Sequence, residues 1–325
     1  MRRSLLFSGC PWNALGSCLV LPGLAGDMLI QPAAWMGEDG MTLAIVLRAG
    51  LCGAVLVDWG YPGTAARRYS PRLRAVVLGM GGAGALIWTG AGAIRFYTVA
   101  PTGENGPITV IVQGNVPETE KMGRQNPREI FERYLRLTAQ GVHDAQAIQS
   151  AQASGGGRYR PIVFLWPETS FPGYTLLQDS PRARQIIMQW ANPADAGLIG
   201  ALRADEQERY RNSVLALAPD GAVEAVYDKA RLVPFGEYQP PFIPLQIVPQ
   251  GGMAAGPGPR TWHLADIPAV WPLICYEVIL SGQIIERADR PPWRANVTND
   301  GRLGGSAGPR PHPPPLARRP VAAGL

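Results

Sequence analysis

Charge is scarce in this chain of 325 residues: 17% of positions are Asp, Glu, Lys or Arg, against 46% hydrophobic. The deficit is concentrated before residue 97, where apolar runs are long and Gly is frequent. From about residue 104 onward the composition is that of an ordinary globular domain. The net charge of +5 rests on many Arg and little Lys, and no basic stripe with interleaved aromatics occurs. Nucleic-acid binding is therefore not expected. The four Cys, at positions 10, 18, 52 and 275, lack metal-ligand spacing, and three of them fall in the apolar N-terminal part. Neither a metal site, a cofactor nor a disulfide framework is expected. There is no internal repeat. The start Met1-Arg2-Arg3-Ser4-Leu5-Leu6 does not continue as a secretory signal, because Gly9, Pro11 and Asn13 interrupt the apolar run and no A-x-A site follows.

What the N-terminal part does have is two long apolar runs. Met41 to Val57 is broken by little besides Arg48, and Leu73 to Ile94 is almost wholly apolar after Arg74. Each approaches the roughly 20 residues that cross a bilayer as a helix, and their Gly content suits close helix packing in lipid. Leu15 to Met36 is interrupted by Pro22, Asp27 and Pro32 and is expected to lie at an interface or in a re-entrant loop within residues 1–40. Between the two runs stand Arg67, Arg68, Arg72 and Arg74 with Asp58 as the one acid. By the positive-inside rule this loop faces the cytoplasm, which sends the second helix outward and leaves the rest of the chain on the far side of the membrane.

Residues 1–97 are thus expected as a membrane part, 98–107 as a Pro/Gly linker, and 108 onward as a separate domain. There, Ile108 to Val112 and Ile162 to Trp166 are continuous apolar strands, and Arg128 to Gln152 carries Ile130, Tyr134, Leu135 and Val142 at helical spacing. Ser180 to Trp190 is expected as a helix. Strands are expected at Leu198 to Leu202, Ser213 to Ala218 and Val223 to Tyr227, the last two joined by a Pro219-Asp220-Gly221 turn. Continuous apolar strands alternating with helices predict an α/β domain around a buried sheet.

Three polar residues follow directly on such strands: Glu168 in Trp-Pro-Glu, Lys229 in Tyr-Asp-Lys, and Cys275 at the end of Trp271-Pro-Leu-Ile-Cys275. Strand ends are where α/β folds place ligands. Nucleophilic acyl chemistry needs this set, because a thiol requires a base to take its proton and the oxyanion formed next requires a positive partner. Each residue also has an ordinary reading: Cys275 as a small core hydrophobe, Glu168 as a helix cap, Lys229 as a solvated strand end.

Together, Trp166-Pro167-Glu168, Lys229 with Val233-Pro-Phe-Gly-Glu237, and Cys275-Tyr276-Glu277 resemble the Glu-Lys-Cys triad of the nitrilase superfamily. The long Lys-centred motif and the helices in front resemble its apolipoprotein N-acyltransferase branch. Pro11-Trp12-Asn13 is similar to a Pro-Trp loop of that branch, and Asn296-Val297-Thr298-Asn299-Asp300 to its Ser/Thr-Asn-Asp strand. The resemblance implies an αββα sandwich over residues 108–309 behind transmembrane helices of a bacterial inner membrane, with the catalytic domain on the periplasmic side. It implies Glu168 as base, Lys229 as oxyanion partner and Cys275 as nucleophile, with Glu237 supporting Lys229 while Tyr276 and Glu277 shape the strand-end turn. The implied donor is a phospholipid and the acceptor the amine of a diacylglyceryl-cysteine apolipoprotein. Gln239 to Pro259 is then a candidate mobile loop.

The chain departs from the pattern in places. Glu120-Lys121-Met122-Gly123 stands where a Trp is usual, and Arg302-Leu303-Gly304 where Trp-Phe-Gly is usual. Pro313-Pro314-Pro315 occupies a stretch that should be helical. The expectation is an incomplete domain with an aberrant tail at 310–325, in a truncated or frame-shifted copy. A membrane-anchored amidase and an inactive remnant are the alternative readings.

Overall fold

In the computed structural model, residues 28–60, 69–99, 106–116, 126–172, 175–239, 252–279 and 288–299 are described. The Pro-Trp loop, the 120–123 stretch and everything from residue 300 lie outside them. The chain divides into two compact units, one formed by Met1–Thr102 with Leu280–Gly282 and Pro311–Leu325, the other by Gly103–Ile279 with Gln283–Arg310.

The first unit contains two helices, α1 (Ala33–Gly60) and α2 (Pro71–Thr98). Both are long and apolar enough to cross a membrane, over Asp39–Leu56 and Pro71–Thr98. They run beyond the expected 41–57 and 73–94. Ser70 caps α2 by accepting from the Leu73 amide and Pro71 pre-sets its first turn, so the helix starts earlier than its apolar run. α1 begins at Ala33, inside the stretch expected as an interfacial loop, and kinks at Gly37, whose φ of 69° no ordinary helical residue adopts. Gly92 lets the chain at Met28 approach closely, since a Cβ there would meet the Met28 carbonyl oxygen at 2.2 Å. Trp88 Nε1 donates to the Leu29 carbonyl at 2.9 Å beside it. Leu47, Met80, Leu86 and Ile87 are exposed.

The second unit is layered. Strands β1 (Ile108–Ile111), β2 (Ile162–Trp166), β3 (Ala196–Ala204), β4 (Tyr210–Leu217) and β5 (Val223–Asp228) form one sheet in sequence order. The first three are parallel, and β3-β4-β5 is an antiparallel meander. β6 (Val270–Ile274) and β7 (Trp293–Val297) pair in parallel in a second sheet. Helices α3 (Pro127–Ser154) and α4 (Pro181–Trp190) and two short 3-10 turns, Leu177–Asp179 and Cys275–Ile279, complete the described elements of this unit.

The two-residue period of each strand sorts its side chains between two cores. Ile162, Phe164, Trp166, Ile199, Leu215 and Leu217 pack with Tyr134, Leu135 and Ile187 of the helices. Val163, Leu165, Leu198, Val214 and Tyr227 pack on the opposite face with Val270, Ile274, Ala295 and Val297 of the second sheet. Burial on both faces explains why β2 reads as an unbroken apolar run. The result is a sandwich of helix, sheet and sheet in its described layers.

The expected mobile loop is in part tied down. Residues 240–251 lie outside the described set, but the Met253, Ala254 and Gly256 amides donate to the carbonyls of Glu237, Tyr210 and Lys229 at 2.7, 2.9 and 2.8 Å. The stretch Gly252–Gly256 is therefore an arm bonded to the start of β4, to the residue after β5 and to the end of the Val233–Glu237 turn.

Phe164 lies fully buried. Its replacement by Ala should lower unfolding free energy by about 3–5 kcal/mol. Ile111→Ala, at a side chain 78% exposed on the edge strand, should change it by no more than about 0.5 kcal/mol. Urea midpoints of the detergent-purified chain check both.

Candidate active site

Glu168 follows β2 by a turn at Pro167, and no helix begins there, so it caps none. The turn packs over β3 at Gly200, where a Cβ would meet the Pro167 carbonyl oxygen at 2.1 Å. Only Gly leaves room for that approach. The Ser170 amide and hydroxyl both donate to the Gly200 carbonyl, at 2.8 and 3.0 Å, and pin the turn. The Glu168 side chain ends up fully buried.

Lys229 stands one residue past β5 and continues its ladder, its amide donating to the Asn212 carbonyl at 2.8 Å. It is not solvated: its exposure is 1%. Its ammonium donates to Glu237 Oε1 at 2.8 Å and lies 3.6 Å from Glu168 Oε1. Glu237 closes the Val-Pro-Phe-Gly-Glu turn, its Oε2 accepting from the Val233 amide at 2.8 Å. Asn212 on β4 joins the two carboxylates, its Nδ2 donating to Glu168 Oε1 at 2.7 Å and to Glu237 Oε1 at 3.1 Å.

Cys275 begins the single turn that follows β6, half-buried, with a φ of 51°. That left-handed conformation in a residue with a Cβ is strained. Glu277 holds it. One of its oxygens accepts from the Ile274 amide at 3.0 Å. The other accepts from the Tyr227 hydroxyl at 2.9 Å and from the Ala230 and Arg231 amides at 2.8 and 3.1 Å. The Cys275 turn of the second sheet is thereby fastened to the backbone just after Lys229 in the first.

The electrostatics follow from this packing. Burial pulls the Lys229 ammonium toward neutrality, but Glu168, Glu237 and, at lower weight, Cys275 hold its pKa above the ordinary lysine value. Burial pushes the Glu277 carboxyl up against the pull of its four donors, and burial likewise raises the half-buried Tyr276 phenol. Two carboxylates around one ammonium leave a buried negative excess that can take a proton, beside a cation that can hold an anion. Among the described residues no group of His, Cys, Asp or Glu is arranged to hold a metal ion.

Of the expected triad, Glu168 and Lys229 approach each other to 3.6 Å, and Cys275 stands on the turn that Glu277 ties to the Ala230 and Arg231 amides just after Lys229. Glu237 and Glu277 lie directly around them. Asn212 and Tyr227 were missed by sequence reasoning. The available signal was an Asn inside the buried run Asn212-Ser-Val-Leu-Ala-Leu217, a position that demands partners for its amide.

The site thus combines a two-sheet sandwich, a buried Glu-Lys pair and a strained Cys directly after a strand. The chain is homologous to proteins named apolipoprotein N-acyltransferase. It is 31% identical over 338 aligned residues to the apolipoprotein N-acyltransferase of Rhodopseudomonas palustris, covering 99% of this chain and 58% of that protein. The same figures hold for that of Bradyrhizobium diazoefficiens, and identity is 30% with that of Brucella suis. The chain thus spans just under three fifths of the length of these curated relatives. No family model matches it. Among solved structures, an amidase from Nesterenkonia aligns over 55% of this chain and 59% of its own, with 15% identity and a TM-score of 0.34.

Two outcomes test the site. Asn212→Ala strips a donor from both buried carboxylates and should cost about 1–3 kcal/mol in a urea titration. Because the folded Lys229 titrates above an unfolded lysine, its stabilisation is fully present below about pH 10.4 and disappears as pH rises through the folded value. The stability gap between the unaltered chain and Lys229→Met should be constant from pH 7 to 9 and narrow above pH ~10. A gap that widens there would contradict the assignment.

Proposed function

We propose that this protein transfers a fatty acyl chain from a phospholipid, through a thioester on Cys275, to the N-terminal amine of a diacylglyceryl-cysteine lipoprotein. The observation that carries the reading is the buried Glu168–Lys229 pair beside Cys275, in a chain homologous over 99% of its length to proteins named for that activity.

In the first half-reaction Glu168 takes the Cys275 proton and the thiolate attacks the sn-1 ester carbonyl. The tetrahedral oxyanion forms beside the Lys229 ammonium. Its collapse breaks the C–O bond, and the departing glycerol oxygen recovers the proton from Glu168, leaving a lysophospholipid and an acyl thioester. In the second, the lipoprotein amine attacks the thioester and gives a proton to Glu168; collapse breaks the C–S bond, and the thiolate is reprotonated. Positioning and charge stabilisation supply the rate in both steps. Glu237 holds Lys229 in line, and Glu277 with Tyr276 keeps the Cys275 turn in its strained form.

α1 and α2 cross a bacterial inner membrane with their connecting loop cytoplasmic and the catalytic unit periplasmic. Both substrates are lipids, so an enzyme anchored in the bilayer meets them by lateral diffusion.

Intact mass of the detergent-purified protein after incubation with phosphatidylethanolamine tests the first half-reaction. The expected result is a gain of one fatty acyl mass, removed by hydroxylamine and absent from Cys275→Ala. A folded protein that gains nothing would refute the reading. Turnover of small amides without phospholipid would instead make it an amidase.

A further inference from the structure

Opposite the active-site face of β4 and β5 lies a cluster of four charged groups. The two-residue period that turns Asn212 and Lys229 toward the second sheet turns Arg211, Ser213 and Asp228 the other way. Asp228 is gripped by Arg203 through two bonds, at 3.1 and 2.6 Å, and by the Ser213 hydroxyl at 2.7 Å. Arg211 spends Nε and Nη2 on Asp205, at 3.0 and 2.9 Å, and lies 3.8 Å from Asp228. Its remaining nitrogen, Nη1, donates to the Ala255 carbonyl of the 252–256 arm. Asp205 is itself fixed by the Gln207 and Arg209 amides, so the guanidinium is braced at its base and reaches out to the arm.

That arm sets two active-site backbones. Lys229 is held laterally by β4, through its amide to the Asn212 carbonyl, and by the arm, through the Gly256 amide to its own carbonyl. Glu237 receives the Met253 amide. A side chain at Gly256 would strike the Asp228 carbonyl oxygen at 2.1 Å, so the arm lies close against the chain entering Lys229. An arm free to shift would loosen both the ammonium and the carboxylate that orients it.

We propose that Arg211 is a positioning residue: by fixing the 252–256 arm through Ala255 it sets where the Lys229 ammonium stands relative to Cys275. The role rests on the acyl-transfer site described above, yet it can be tested without lipid. Arg211 touches no reacting atom. Its effect on Cys275 would come through Lys229, whose neighbours among charged groups are Glu168, Glu237 and Cys275, with Glu277 behind the Cys275 turn.

The test is alkylation of Cys275 by iodoacetamide in the full-length detergent-purified chain, followed by peptide mass spectrometry from pH 5 to 10. The nearer the ammonium stands to the thiolate, the more it favours the ionised form against the opposing effect of the carboxylates and burial. Arg211→Ala should raise the midpoint of the pH–rate profile by about one unit and slow alkylation at pH 7 about tenfold. Arg211→Lys, which keeps the charge without the fork, should restore most of the rate. An Arg211→Ala protein that melts like the unaltered chain and alkylates with its rate and midpoint overturns the proposal. If Arg211→Ala does not fold, Asp205→Asn, which frees the same side chain from its brace, decides: a raised midpoint supports the role and an unmoved one refutes it. A chain that takes no acyl group from phosphatidylethanolamine but shows the raised midpoint in Arg211→Ala loses the acyl-transfer reading and keeps this one.

Discussion

The Lys229 ammonium, 1% exposed and 2.8 Å from Glu237, is the group around which the second unit is arranged. An isolated cation at that depth would be driven to neutrality, because desolvation of a charge costs several kcal/mol even after relaxation. Here two carboxylates outweigh the desolvation and the ammonium persists. The carboxylates in turn need donors, and Asn212 supplies one to each. Removing any member leaves the others buried without compensation. That is a poor way to gain stability, and hydrophobic residues would fill the space more cheaply. A cluster of this kind makes sense where a proton must be accepted and an anion received at the same spot.

Strain collects at the same place. Thr169, Phe235 and Cys275 all have positive φ, at 47, 64 and 51°, and each follows or sits within one of the three sequence motifs. Such conformations cost of order 1–3 kcal/mol apiece and persist only where the surroundings over-determine them. The surroundings are visible in each case. Ser170 bonds twice to Gly200 beyond Thr169, the Phe235 amide donates to the Tyr238 carbonyl, and Glu277 gathers four donors around the Cys275 turn. At Cys275 the strain falls on the residue directly after β6.

Much of this was legible in the sequence, for reasons that also explain what was not. Continuous apolar runs announce strands buried on both faces, so β2 and β6 could be placed almost to the residue, and the helical spacing of Ile130, Tyr134 and Val142 gave α3. Glu168, Lys229 and Cys275 stood out because a polar residue directly after such a run is unusual. Asn212 did not, since a single Asn within a strand is ambiguous until its neighbours in space are known. The 252–256 arm was hidden for a different reason. Its Gly and Pro content suggests mobility, whereas its order comes from amides that find carbonyls on Glu237, Tyr210 and Lys229, and backbone bonding of that kind leaves little mark on side-chain pattern. The start of α1 was obscured by Pro32, which breaks an apolar run yet stands immediately before a helix it does not interrupt.

The ion cluster on the outer side of the meander also answers a question of register. A slip of one residue between β4 and β5 would exchange the two faces of the slipped strand. It would carry Lys229 out of the site and bring Asp228 in, a carboxylate where an ammonium is required. Apolar packing opposes this, because the slip turns the buried Tyr227 out of the inter-sheet core and leaves its hydroxyl off Glu277. Arg203 and Ser213 discriminate strongly, since a slip leaves Asp228 facing the inter-sheet core and two donors without their acceptor. Specification of register is among the better-attested uses of partly buried charge. The charges that do no chemistry thus help to decide which face of the strand the chemical one occupies.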